Sequence, residues 1–164
     1  MKYMNIERNI SIKSIEYNDA EQLVEIMNTD KVLKCALCSN ENEISIEEFI
    51  QHNRKWSSSR KADMFAIVYN GAAIGVISLS HQNFEEKKAQ IGYWIGSKYW
   101  GKTCTTQAFS NVLEFARKKG FKYVTASIKS DNFASKRIWE KQGAKIEFDN
   151  SRFNVKLCID SNLR

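Results

Sequence analysis

Gln90-Ile91-Gly92-Tyr93-Trp94-Ile95-Gly96-Ser97-Lys98-Tyr99-Trp100-Gly101-Lys102-Thr103-Cys104-Thr105-Thr106-Gln107-Ala108 opens the stretch that decides the fold, which runs on to Lys119. Its first part, residues 90–95, is rich in aromatic and β-branched side chains and reads as a strand. Gly96 and Ser97 interrupt it, and residues 101–106 are small or hydroxylated and open a helical pattern. Ala108, Phe109, Val112, Leu113, Phe115 and Ala116 then recur at three- and four-residue spacing, so one helix face is apolar. Arg117, Lys118 and Lys119 complement the C-terminal end of the dipole, and Gly120 stops the helix. A strand feeding a loop of small residues onto a helix N-terminus can hold a phosphate. The orphan N–H groups of the first turn point at the anion and the macrodipole favours it.

A second block follows another strand-like run, residues 121–129: Asn132, Ser135, Ile138, Trp139 and the ending Glu140-Lys141-Gln142-Gly143. With Gly92-Tyr93-Trp94, Tyr99-Trp100-Gly101-Lys102 and Thr106-Gln107-Ala108, it resembles the GNAT superfamily of acetyl-CoA-dependent N-acetyltransferases. The likeness is strongest to the Rim-type branch of ribosomal-protein N-terminal acetyltransferases. The order of elements fits from about Ile10 to Ile159, nearly the whole chain.

Outward from these blocks, residues 10–15 alternate as a half-buried strand, and Asn18-Asp19 reads as an N-cap before a helix over residues 20–27. Residues 29–43 have no clear period and read as a connection. Ser45-Ile46-Glu47-Glu48 is a capping box that starts a helix running to about Trp56. Residues 64–69 and 72–80 are strand-like runs separated by Asn70-Gly71, a type I′ hairpin signal, with a charged loop over residues 81–88 before the next strand. Residues 145–148 and 152–159 read as two final strands. This order implies an α/β (α+β) protein. Its centre is a mixed, mostly antiparallel sheet of about seven strands with helices on both faces, the GNAT arrangement.

Bulk properties narrow the function classes. A length of 164 residues indicates a single domain with a core large enough to need no staples. No apolar run approaches the roughly 20 residues of a membrane span, and residues 1–8 carry no apolar secretion signal, so a cytoplasmic location is expected. The net charge of +6 comes from dispersed lysines and arginines, which suits solubility or a CoA enzyme better than a nucleic-acid binder. Cys35-Ala36-Leu37-Cys38 lacks the second close pair of a structural zinc site, and Cys104 and Cys158 lie far apart, so reduced thiols and no metal are expected.

What the resemblance implies for chemistry falls on named positions. Acetyl transfer to an amine needs donors where the thioester oxygen becomes negative and a proton for the departing thiolate. By likeness to the family, the main chain of Trp94, Ile95 or Gly96 polarises the thioester carbonyl, and the pantetheine arm lies between the fourth and fifth strands. Gly101, Lys102, Thr103, Cys104, Thr105 and Thr106 form the phosphate loop. Here Thr103 and Thr105 stand where Gly or Ala is usual. A β-branched residue at positive φ would be an outlier, so either Thr103 keeps negative φ or the loop is rearranged. Cys104 reads as an inert buried thiol. Trp139 occupies the place of the tyrosine acid of many members, and its indole cannot serve as one. In the Rim-type branch a serine stands where Ser135 does, making Ser135 the catalytic candidate as hydrogen-bond donor to the thiolate, or a local helix residue. Asn132 N-caps that helix and, by likeness, contacts the pantetheine or the acceptor. No base stands out: Gln90 replaces a frequent Glu, and His81, Glu85, Glu86, Glu41, Glu43, Glu47 and Glu48 are further options.

Acetyl-CoA is thus the expected cosubstrate. The expected acceptor is a small-molecule amine (polyamine, amino sugar) or a protein N-terminus, bound against residues 33–53 by a monomer or homodimer, with neither nucleic acid nor membrane as partner. The alternative is a degenerate domain that binds CoA or a protein without turnover.

Overall fold

The computed structural model describes residues 9–40 and 42–163, Leu163 by its backbone alone. Among these residues, seven strands form one sheet in the order β1-β2-β3-β4-β5-β7-β6: β1 Ile10–Ser14, β2 Asp63–Tyr69, β3 Ala72–Asn83, β4 Lys88–Ile95, β5 Tyr123–Lys129, β6 Lys145–Phe148 and β7 Arg152–Cys158. Every neighbouring pair is antiparallel except β4 and β5, which run parallel. The helices are α1 Tyr17–Thr29, α2 Lys31–Ala36, α3 Ile46–Ser59, α4 Cys104–Lys118 and α5 Phe133–Lys141, with 3-10 turns at Ser97–Tyr99 and Ser161–Leu163. The mixed sheet with helices on both faces is as the sequence implies. Among the described residues, no helix is long and apolar enough to cross a membrane.

Two apolar layers flank the sheet. On one face, Ala108, Phe109, Val112, Leu113 and Ala116 of α4 pack with Trp139 of α5 on Ile77, Ile91, Ile95 and Val124. Fully burying a side chain such as Leu113 contributes about 1.5–3 kcal/mol. Trp139 lies edge-on to Phe109, centroids 4.9 Å apart. It is therefore core. On the other face, Ala20, Leu23 and Val24 of α1 and Phe49 of α3 cover Ala66, Val68, Ala73 and Val76. Strand alternation sends Ile91, Tyr93 and Ile95 to the α4/α5 layer and Trp94 to the α1/α3 layer.

Hairpin β2–β3 turns at Asn70 and Gly71, both at positive φ (48° and 82°), as a type I′ turn requires. Several boundaries differ from the sequence reading. Helix α1 starts at Tyr17, ahead of the expected cap, because Asp19 sits inside the first turn and its carboxylate takes the Glu16 N–H at 2.9 Å. The expected connection over residues 29–43 contains α2, capped by Asp30, whose carboxylate accepts from Leu33 N–H at 3.0 Å. Six residues are too few to show a period. Helix α3 continues through its serines to Ser59, where the Ser59 hydroxyl donates back to the Trp56 carbonyl at 3.1 Å. Strand β3 runs past Ser80 to Asn83 through a bulge at His81, which has φ 50°.

Candidate active site

Pairing between β4 and β5 covers only Lys88↔Tyr123, Ala89↔Val124 and Gln90↔Thr125. Beyond it the two strands part: β4 stays on β3 as far as Ile95↔Gly75, and β5 stays on β7 as far as Lys129↔Arg152. A wedge opens between them, edged by the backbone of residues 91–95. Gly96 N–H donates to the Ile74 carbonyl at 2.9 Å. Antiparallel partners exchange bonds at every second residue, so the Trp94 backbone also turns to β3 while the N–H and C=O of Tyr93 and Ile95 turn into the wedge. Of Trp94, Ile95 and Gly96, only Ile95 presents its amide there. Its carbonyl accepts the Trp100 indole N–H at 2.9 Å, folding that ring back along the strand end.

Gly75 sets how closely β3 holds β4. A Cβ at this position would stand 2.4 Å from the Trp94 carbonyl oxygen and 2.9 Å from the Ile95 Cα. The absence of a side chain therefore fixes the wedge edge in place.

The loop after β4 leads into α4. Gly101 takes φ 69°, the left-handed region, while Thr103 is the N-cap at φ −62° with no side-chain capping bond. Thr103 thus keeps negative φ, and its β-branch costs nothing there. Thr105 and Thr106 lie in the first turn, half-buried, and Lys102 is exposed. Cys104 is buried at 1 % exposure in the core, so only its backbone faces the loop. The first N–H taken up within the helix is Gln107, on the Thr103 carbonyl at 3.0 Å. Those of Cys104, Thr105 and Thr106 are left as the orphan donors of a helix N-terminus.

Across the wedge, Asn132 caps α5 and its side chain accepts Ser135 N–H at 3.1 Å. Ser135 is 6 % exposed. Burial pushes the Tyr93 phenol up, an effect that the Ser135 hydroxyl offsets in part.

Four contacts were not legible in the sequence. Asp30 accepts Ser97 N–H at 2.7 Å and Ser97 Oγ–H at 2.8 Å, tying the start of α2 to the end of β4. Burial pushes the Asp30 carboxyl up, but bonds from Leu33 and Ser97 outweigh it and hold it below the usual carboxylate range. Lys129 at the end of β5 donates to the Ala36 carbonyl at 3.3 Å and to Cys38 Sγ at 3.0 Å. Helix α2 is therefore anchored to both strands that frame the wedge. Only Asp30, a capping residue ahead of Leu33, left a local signal.

The base options separate by position. His81, Glu85 and Glu86 sit by the start of β4, about 23 Å from its end at 3.3 Å per residue, and are not part of this site. His81 and Glu85 line instead a surface depression with Arg60, Lys61, Asp63 and Lys119 at that far end. Glu48 is engaged in its capping box, accepting Ser45 N–H at 2.8 Å. Glu43 and Glu47 are exposed, Gln90 closes the β4–β5 pairing, and Glu41 lies outside the described residues. Among the described residues, no three His, Cys, Asp or Glu side chains converge as a metal site.

Comparison with known proteins bears on this geometry. The curated Bacillus subtilis (strain 168) protein "Putative ribosomal N-acetyltransferase YdaF" is 29% identical over 116 residues, 68% of this chain and 63% of that protein. The match thus spans less than two thirds of that relative's length. The fold is shared with RimL, a ribosomal L7/L12 alpha-N-protein acetyltransferase solved with coenzyme A (TM-score 0.74, 18% identity, 93% of this chain and 95% of that one). It is shared too with the spermidine N-acetyltransferase of Vibrio cholerae, solved with CoA and spermine (TM-score 0.75, 14% identity, 94% and 98%). The family described as Acetyltransferase (GNAT) domain matches residues 9–145, taking in the wedge, the phosphate loop and Ser135, and the chain belongs to that family.

Proposed function

We propose that the chain is an acetyl-CoA-dependent N-acetyltransferase that moves an acetyl group to a primary amine by direct transfer in a ternary complex. The observation that carries this reading is the β4–β5 wedge. It offers an open strand edge with the Ile95 amide in it, beside a helix N-terminus whose first-turn N–H groups are uncapped by any side chain. Gly101, Lys102 and the backbone of residues 103–106 suit the phosphates of CoA. The edge of residues 93–96 suits the amide-rich pantetheine arm, with Asn132 on the opposite side.

Acetyl-CoA supplies the acetyl thioester. Ile95 N–H is placed to stabilise negative charge on the thioester oxygen as the amine nitrogen bonds to the acetyl carbon, a contribution of about 2.7–4 kcal/mol for one such donor. Ser135 Oγ–H is placed to hydrogen-bond the sulfur as the C–S bond breaks. The amine's proton leaves through water, since Gln90 cannot accept it and His81, Glu85 and Glu86 sit at the far end of β4. The acceptor lies on the α1–α2–α3 side, where Trp94 packs. The Rim-type relatives favour an α-amine of a protein or peptide over a side-chain amine. Thr103 at negative φ removes one reason to read the chain as a degenerate domain.

Thiol release from acetyl-CoA, followed with and without a peptide α-amine, spermidine and an amino sugar, tests the proposal. Amine-dependent release is expected. Release with none of them, by protein that binds CoA, overturns it in favour of a binding domain.

A further inference from the structure

The two faces of the sheet are covered unevenly. Helices α1 and α3 lie on β2 and β3, with Trp94 of β4 at the margin of that layer. Farther across, Val124, Ile128, Val155 and Leu157 pack in the α4/α5 layer. Strand alternation therefore turns Thr125, Ser127 and Lys129 of β5 and Arg152, Asn154 and Lys156 of β7 to the opposite face. All six are exposed or half-buried there, and Gly92, beside the wedge, is exposed too. This open half of the sheet adjoins the wedge on the acceptor side.

Its charge is one-sided. Lys129 stands directly opposite Arg152 in the β5–β7 register, and Lys156 stands opposite Thr125. Like charges directly opposite on one face destabilise a sheet, so the pair calls for an anion. Contacts fix all three side chains on this face. Lys129 reaches the Ala36 carbonyl and Cys38 Sγ at the end of α2, and Arg152 Nε donates to Ser127 Oγ at 2.7 Å. The Lys156 ammonium lies 4.5 Å from the Tyr123 ring centroid. Among the described residues, none of the three is in an ion pair. Lys145 of neighbouring β6, by contrast, is held by Glu147 at 3.1 Å. Asp149, at the β6–β7 turn, accepts from Ser151 Oγ–H, Arg152 N–H and Asn154 Nδ2–H, and leaves the Arg152 guanidinium alone. From Arg152 to Lys156 the stripe spans about 13 Å, the length of about four extended residues.

We propose that this face docks the body of the acceptor, and that the acceptor is the N-terminus of an acidic peptide or protein. Its α-amine enters the wedge, and the carboxylates of the residues that follow lie on Lys129, Arg152 and Lys156. A polyamine is repelled by the same stripe. The inference rests on the acetyl-transfer reading of the wedge and names its acceptor class.

The test is amine-dependent thiol release from acetyl-CoA with spermidine and with three peptides of one length. Each peptide has a free N-terminal serine, followed by five glutamates, five glutamines or five lysines. At low salt, kcat/KM for the glutamate peptide is expected to exceed that for the glutamine peptide by about three- to thirtyfold, with the lysine peptide and spermidine lowest. The spread is expected to shrink at about 0.5 M salt. Lys156→Glu, an exposed change outside the core, is expected to cut the glutamate-over-glutamine ratio by about two- to tenfold. Lys118→Gln, on α4 and paired with Glu114, is expected to leave that ratio as in wild type. Equal turnover of the three peptides, a preference for spermidine or the lysine peptide, or a ratio unmoved by Lys156→Glu overturns the inference and leaves acetyl transfer standing. Single-stranded RNA binding that Lys156→Glu abolishes, with the peptides equal, also overturns it and gives the face to nucleic acid. Release dependent on none of the four amines, by protein that binds CoA, overturns the acetyl-transfer reading as well.

Discussion

Gly75→Ala is the perturbation that reaches furthest into the site for the smallest chemical change. The added Cβ would lie 2.4 Å from the Trp94 carbonyl oxygen and 2.9 Å from the Ile95 Cα, both backbone atoms that no rotamer change can move aside. Comfortable separation is about 3.5 Å, so β4 must retreat from β3 by roughly 1 Å. Overpacking of this kind costs about 1–3 kcal/mol. For a chain of this size each kcal/mol lowers Tm by about 2–4 °C. The retreat carries the Ile95 amide with it, and a misplacement near 1 Å at a reacting centre costs about a hundredfold in rate. Thermal melts and acetyl-CoA turnover measured well below the variant's Tm read both effects. Gly92→Ala is the control on the neighbouring strand, because its Cβ would meet only Ser78 Oγ at 3.5 Å, an ordinary contact. A Gly75→Ala protein with wild-type Tm and turnover, or a Gly92→Ala protein equally impaired, would refute the reasoning.

Thr103→Gly should not tighten CoA binding, since Thr103 already sits at φ −62° and glycine there only adds chain entropy; calorimetry showing tighter binding would mean the side chain crowds the phosphates. Ser135→Ala should lower kcat by about ten- to a hundredfold with acetyl-CoA affinity little changed, the size of a hydrogen bond to a developing thiolate, read in steady-state kinetics with chemistry rate-limiting. Asp30→Ala should release α2 from Ser97 and from its cap, costing about 1 kcal/mol and raising the acceptor KM, with faster amide exchange at Leu33 as the structural readout. Because the Asp30 carboxyl is held below its usual range in the folded protein, its contribution is full above the ordinary carboxylate pKa and fades as pH falls through the depressed folded value. Melts of wild type and Asp30→Asn should therefore converge in acid and diverge toward neutral pH.

Much of this architecture is legible in the chain because local signals agree with the global fold. The α4 stripe, the Asn70-Gly71 turn, the Ser45–Glu48 capping box and the Asn132 cap each name an element by short-range chemistry alone. The site is legible only as a region. Which amide of residues 94–96 faces the wedge depends on β3 register, and register is a long-range property that a single strand's sequence does not carry. Helix α2 escaped because six residues cannot display a period, and its anchors to Ser97 and Lys129 join residues far apart in the chain. His81 and the glutamates beside it are base options by sequence because they precede β4. They precede it at the wrong end.

The claim that the β4–β5 wedge holds the cosubstrate is tested most directly by amide hydrogen exchange with and without acetyl-CoA. Protection is predicted to rise at Ile95 and at Cys104, Thr105 and Thr106, while Gly96, already bonded to the Ile74 carbonyl at 2.9 Å, changes little. Unchanged exchange at Ile95 and the α4 first turn, with protection appearing instead around Arg60, Lys61 and Lys119 at the far end of the sheet, would contradict the account.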